Sequence, residues 1–166
     1  MTHQVPSKLW RLGPGAMVMA MVMAMGLPGQ ATAGPGCAAS ASDRAGVMMA
    51  LNQWYAAMRQ DDLQAFAAAT TPDFLAYDAG GSYRGLELAR AIKAAHERGT
   101  TFVWSITDPE VQVDCQSALV TYVNRGQVKN ADGPKDVVWL ESAALRRTPQ
   151  GWKLAFFHSS KAKASP

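Results

Sequence analysis

The chain has 166 residues, 48% of them hydrophobic and 17% charged, a composition that fits one globular domain and excludes both a disordered chain and two full domains. Its formal net charge of +3 invites a nucleic-acid reading that does not hold. The first 33 residues carry two of the sixteen basic side chains and none of the thirteen acidic ones, so the remainder is close to neutral and has no stripe of Lys and Arg able to displace many phosphate counterions.

The N-terminus reads as a secretory signal. Lys8 and Arg11 supply a positive start, Ala16 to Leu27 is apolar and rich in Met and Ala, and Gly26, Pro28 and Gly29 break it before the small residues Ala31-Thr32-Ala33. Cleavage is expected after Ala33, delivering the rest to the periplasm or the medium with no stable membrane anchor. An uncleaved span fits less well, because Pro14, Pro28 and Gln30 interrupt the run and its strongly apolar part is about half of the roughly 20 residues a span needs. Lipidation at Cys37 would require an aliphatic residue three positions upstream, where Gly34 stands. Export permits a disulfide between Cys37 and Cys115. Two unpaired thiols is the other reading, since sequence does not place their Cα atoms within bridging distance.

Residues 34–42 read as a flexible arm. A helix follows from about Asp43 to Arg59, with Ser42 as N-cap and Val47, Leu51, Trp54, Tyr55 and Met58 in one apolar stripe. Asp61 and Gln64 form a capping-box pattern for a short second helix, which Thr70 to Pro72 ends. Asp73 to Tyr77 and Tyr83-Arg84 are a strand and its return around Ala79-Gly80-Gly81. A third helix runs from Leu86 to Arg98, with a Lys93–Glu97 pair outside and Gly99 as its left-handed stop. The period then becomes two. Thr101 to Asp114, bent at Asp108-Pro109, is one long strand; Ser117 to Lys129, Lys135 to Arg147 and Trp152 to Ser160 follow as a meander. The domain spans residues 43–160, and 161–166 form a disordered tail. The class is α+β, three N-terminal helices packed on a curved, mainly antiparallel sheet.

This order of elements resembles the nuclear-transport-factor-2-like (NTF2-like) superfamily, and within it the SnoaL-like, DUF4440-type proteins. The residues that carry the resemblance are Trp54, Asp61-Asp62-Leu63, Asp73-Phe74, Gly85 and the terminal strand Gly151-Trp152-Lys153-Leu154 ending in His158-Ser159-Ser160. The resemblance implies a cone-shaped fold with a pocket at its open end and a homodimer formed through the outer face of the sheet. It implies no single activity, because relatives range from isomerases and polyketide cyclases to domains without known catalysis. In the steroid-isomerase branch three positions matter. Asp78 stands near the place of the proton-shuttling carboxylate, but the comparison sets Trp54 (beside Tyr55) and Ala143 at the two oxyanion positions, which speaks against that reaction.

Strand alternation nominates the chemistry. On the last strand Trp152, Leu154, Phe156, His158 and Ser160 share a face expected to look inward, making His158 a candidate proton carrier or else a structural histidine. On the strand before it Trp139, Glu141, Ala143 and Leu145 share the inner face, so Glu141 would be a buried carboxylate partnered by His158 or Arg125; a register slip of one would make it a surface residue. Asp78 is a third candidate, with capping of the adjacent turn as its plainer role. Trp54, Tyr55, Tyr77, Tyr122 and Phe156 are the aromatic candidates for a pocket lining, with Arg125 and Ser160 as polar ones. No metal motif and no nucleotide loop occurs, so no metal or cofactor is expected. Two functions follow: a binder of a small, largely apolar molecule with general acid–base chemistry, or a non-catalytic module with a filled cone that dimerises or holds a protein partner.

Overall fold

The computed structural model describes residues 40–163. The expected signal segment, its expected cleavage point and Cys37 lie outside the described residues; Cys115 sits in the turn between Val113 and Ser117.

Helix α1 (Ala41–Arg59) starts two residues before the expected Asp43. The N-cap is Ser40, not Ser42: its side chain accepts from the Asp43 amide while the Asp43 carboxylate receives the Ser40 N–H, a reciprocal capping box. Val47, Leu51, Trp54, Tyr55 and Met58 are all buried, as the stripe predicts. Helix α2 (Leu63–Ala69) is capped by Asp62, one residue past the predicted cap, because Asp61 adopts the left-handed φ of 54° that turns the chain between the helices.

Strand β1 (Thr70–Asp78) pairs antiparallel with β2 (Gly81–Arg84) through a turn in which Ala79 and Gly80 have φ of 48° and 79°. Helix α3 (Glu87–Glu97) follows, with the Lys93–Glu97 pair at 3.3 Å and Gly99 at φ 83° beyond its end. Two helices therefore precede the hairpin and one follows it. The long strand expected over Thr101 to Asp114 is two strands, β3 (Thr101–Val103) and β4 (Ile106–Val113), both paired with β5 (Ser117–Asn130). The break falls at Trp104-Ser105, where Asn124 Oδ1 takes the Ser105 N–H at 2.8 Å in place of a ladder bond. Asp108, at φ 52°, marks a second irregularity inside β4.

β6 (Gly133–Thr148) and β7 (Gly151–Lys161) complete a seven-stranded sheet in the order β2-β1-β7-β6-β5-β3, with β4 also on β5. β1 joins β7 in parallel, so the sheet is mixed, with antiparallel pairs elsewhere. The helices cover the face that presents Ala118, Val120, Ala143, Leu145, Leu154 and Phe157. Trp54 is the centre of this core, with ring contacts to Tyr55, Phe66, Phe74 and Phe157 at centroid distances of 4.7–6.2 Å.

Arg147 ties three elements together. Its guanidinium pairs with Asp43 at the start of α1, donates to the Cys115 carbonyl at 3.1 Å and lies 4.4 Å from the Trp152 ring centroid. Its hydrogen bond to Asp43, aided by Ser40, lowers that carboxyl from 3.8 to about 2. A depressed carboxyl stabilises the fold above its ordinary pKa and loses that contribution as pH falls through the folded value. In Arg147→Met, the Asp43 carboxyl is expected to titrate back toward 3.8 by NMR; an unmoved midpoint would refute the assignment.

Candidate functional site

Between the helices and the inner face of β5, β6 and β7 lies a cavity of about 490 Å³. Its wall is aromatic: Trp54 and Tyr55 from α1, Phe102 and Trp104 from β3 and the segment after it, Trp139 from β6 and Phe157 from β7. Phe102 and Trp104 stack with planes 3° apart and centroids 5.3 Å apart. Their support comes from the C-terminal ends of α1 and α3. Arg59 donates to the Trp104 carbonyl at 3.0 Å and lies 6.0 Å from its ring centroid, while His96, held by Asp61 at 2.8 Å, packs against Phe102.

Glu141 is the carboxyl group most deeply set in this wall. Glu141 is 7% exposed, and each donor that meets it comes from a different element. Tyr55 on α1 donates its phenol O–H to Oε2 in a very short hydrogen bond. Asn124 on β5 donates Nδ2–H to the same oxygen at 3.0 Å, and Ser159 on β7 donates to Oε1 at 3.0 Å. Because Asn124 Oδ1 already accepts from Ser105, its amide is fixed with the nitrogen toward the site, where it also reaches the Tyr55 oxygen at 3.1 Å. Tyr122 lies behind Tyr55, with the two phenol oxygens 3.1 Å apart.

These contacts pull the Glu141 proton affinity two ways. Burial raises its pKa above 4.5, and the nearby Asp78 charge adds to the rise, while the donors Tyr55, Asn124 and Ser159 oppose it; burial wins. Asp78, also on the cavity wall, is raised by burial against the opposing effects of Ser159, the Ala79 amide and His158. Burial also raises both phenols above 10.0, so Tyr55 and Tyr122 act as donors that keep their protons. Two carboxyl groups with raised pKa thus share one apolar wall, with Ser159 between them.

The predicted inward position of Glu141 stands, as do Trp54, Tyr55 and Asp78 in the wall and Tyr122 behind it. Five candidates are corrected. His158 is exposed on the opposite face of β7, with Phe156 and Ser160. The cause is a bulge: Ala144 pairs with Phe156 but Leu145 with Leu154, leaving Ala155 as an extra residue that reverses the alternation. Beyond it Phe157 and Ser159 look inward and His158 does not. Phe156 instead packs edge-on against Tyr77, 5.6 Å between centroids. Tyr77 is outward because Phe74 and Ala76 on its strand are inward. Arg125 is exposed for the same reason, one residue past inward Asn124. The partners of Glu141 are therefore Tyr55, Asn124 and Ser159, not His158 or Arg125.

Sequence reasoning missed Asn124 and Ser159. Asn124 carried a signal, because the inward series Ala118, Val120, Tyr122 continues to it as a polar residue on an apolar face. Ser159 carried none without knowledge of the bulge. Among the described residues no group of three or more His, Cys, Asp or Glu is placed to hold a metal ion.

This arrangement of helices and mixed sheet around an acid-bearing cavity is an NTF2-like fold. The SnoaL-like domain profile matches residues 47–164, and the chain belongs to that family. No curated protein matches it at a significant level. Solved structures share the fold. An NTF2-like protein of Streptomyces avermitilis with a provisional dehydratase assignment is 23% identical with a TM-score of 0.65, over 74% of this chain and 98% of that one. A ketosteroid isomerase-like protein from Erwinia carotovora atroseptica is 23% identical, TM-score 0.62, over 76% and 100%. The CaMKII hub of S. rosetta is 24% identical, TM-score 0.60, over 75% and 100%.

Proposed function

We propose that the chain is an exported, cone-shaped NTF2-like domain that holds a small, largely apolar molecule in its cavity and moves a proton on it by general acid–base chemistry. The observation that carries this reading is Glu141: a carboxyl group with raised pKa, fixed by donors from three elements beside the aromatic wall of the cavity. Such an environment brings a carboxyl group toward the pKa that serves acid–base catalysis near neutral pH. Asp78 supplies a second group in the same wall, so one carboxyl can take a proton from the ligand while the other returns one. The reaction class is an isomerisation, elimination or hydrolysis. The names of the Streptomyces and Erwinia relatives are compatible with it.

A thermal-shift screen of small apolar compounds tests the binding step, since a ligand of the native state must raise the Tm. His158→Ala is expected to change cavity affinity by no more than about fivefold, the reach of an exposed charge. A larger loss would return the imidazole to the site.

A second reading rests on the outer sheet face. Leu119, Leu140 and Tyr77 are 41%, 51% and 46% exposed there, and register sets Phe156 and Ala144 between them. That apolar face suits a homodimer. Light scattering should report a dimer that Leu140→Lys converts to monomer; a wild-type monomer at high concentration would dismiss it.

A further inference from the structure

We propose that the cavity's ligand is an organic cation, a protonated amine carried on an aromatic or aliphatic body, with its charge set toward Glu141 and Asp78. The inference rests on the cavity-binding reading and gives it a chemical class.

Three observations point the same way. The first is the sign of the charge in the wall. Glu141 and Asp78 lie in it with no buried cation opposite them among the described lining residues. Lys135 and Lys161 reach the cavity from its rim, but both are exposed, and Lys135 already pairs with Asp132 at 3.7 Å. Asp136, also exposed at the rim, offsets one of them. Water screens these rim charges; it does not screen Glu141 to the same degree.

The second is the remaining acceptor capacity. Glu141 takes three donors, and a carboxylate offers about four lone-pair sites, so one remains for a ligand N–H. An ammonium there forms a charge-assisted hydrogen bond and supplies the counter-charge that a buried carboxylate lacks.

The third is the lining itself. Half-buried Trp104, Trp139 and Phe102 stand around the same space, and aromatic faces attract cations as well as hydrocarbon. A carboxylate ligand would bring its charge against two acids, and a neutral ligand would leave both without a counter-ion.

The test uses three probes of matched body: 2-phenylethylamine, 2-phenylethanol and 3-phenylpropanoate. Affinities are measured by calorimetry on the whole protein at neutral pH and fixed ionic strength. The amine is expected to bind at least about tenfold more tightly than the alcohol, with the carboxylate weakest. In Glu141→Gln and in Asp78→Asn, each near-isosteric, the ratio of amine to alcohol affinity should collapse toward unity. Equal affinity for amine and alcohol, a preference for the carboxylate, or a ratio that survives both substitutions overturns the cation assignment and leaves the cavity reading intact. Failure of all three probes, with no compound shifting the Tm in the wider screen, overturns both.

Discussion

Glu141→Gln is expected to lower turnover of any cavity substrate by about 10²- to 10⁴-fold, the contribution of a positioned acid or base, while making the folded protein less sensitive to pH. The substitution keeps the shape and nearly all the hydrogen bonds. The glutamine oxygen can take Tyr55 and Asn124, and its NH₂ can donate to the Ser159 hydroxyl, which rotates to accept. What disappears is the proton. Because burial raises the Glu141 pKa above 4.5 in the folded state, the folded protein holds that proton more tightly than the unfolded chain. Its contribution to stability is therefore present below pH 4.5 and lost as pH rises through the folded value. Each unit of separation between folded and unfolded pKa corresponds to about 1.4 kcal/mol. The wild-type Tm should fall relative to the variant as pH rises from about 4 to about 8. Asp78 titrates in the same direction but is present in both proteins, and the two phenols keep their protons throughout. Parallel curves for the two proteins would show that burial does not raise the Glu141 pKa.

Gly126→Ala is expected to be among the most damaging single changes available outside the helical core. Gly126 lies on the inner face of β5, where β3 ends and the chain turns toward β4. A methyl group at this position would stand 2.0 Å from the Val103 carbonyl oxygen and 3.0 Å from Trp139 Cζ3. The first contact is with backbone, which cannot rotate away. Ordinary overpacking costs about 1–3 kcal/mol; a collision with a strand carbonyl belongs at or above the top of that range. Denaturant unfolding should show a loss of about 3 kcal/mol or more. Because Trp139 forms part of the cavity wall, ligand affinity should fall as well. A variant as stable as the wild type would mean that β3 is free to leave the sheet edge at no cost.

How much of this was legible beforehand divides along physical lines. The helices were readable because a period near 3.6 put Val47, Leu51, Trp54, Tyr55 and Met58 on one stripe, and all five are buried. The inward position of Glu141 was readable because β6 alternates without interruption from Trp139 to Leu145. Arg125 and Tyr77 could have been excluded by counting parity from Tyr122 and from Phe74. His158 could not, since a bulge is decided by how a strand meets two neighbours at once, and β7 is the strand that pairs antiparallel with β6 and parallel with β1. The donor set around Glu141 was hidden for a related reason. Tyr55, Asn124 and Ser159 are separated by tens of residues and converge only when helix and sheet are assembled.

The extra residue at Ala155 makes the end of β7 a one-position selector. The tripeptide His158-Ser159-Ser160 offers the interior a hydroxyl and the exterior an imidazole; drawing Ala155 into regular pairing, in place of the bulge, would exchange them without altering any residue. A single-codon deletion of Ala155 would remove the bulge yet leave Ser159 opposite Glu141 and Phe156 beside Tyr77, so the strand would then read by plain alternation. Among proteins built on this plan, pairing terminal strands by sequence alone will then equate residues that face opposite sides. Interior chemistry can change hands through a slip in spacing while the composition of the strand stays the same.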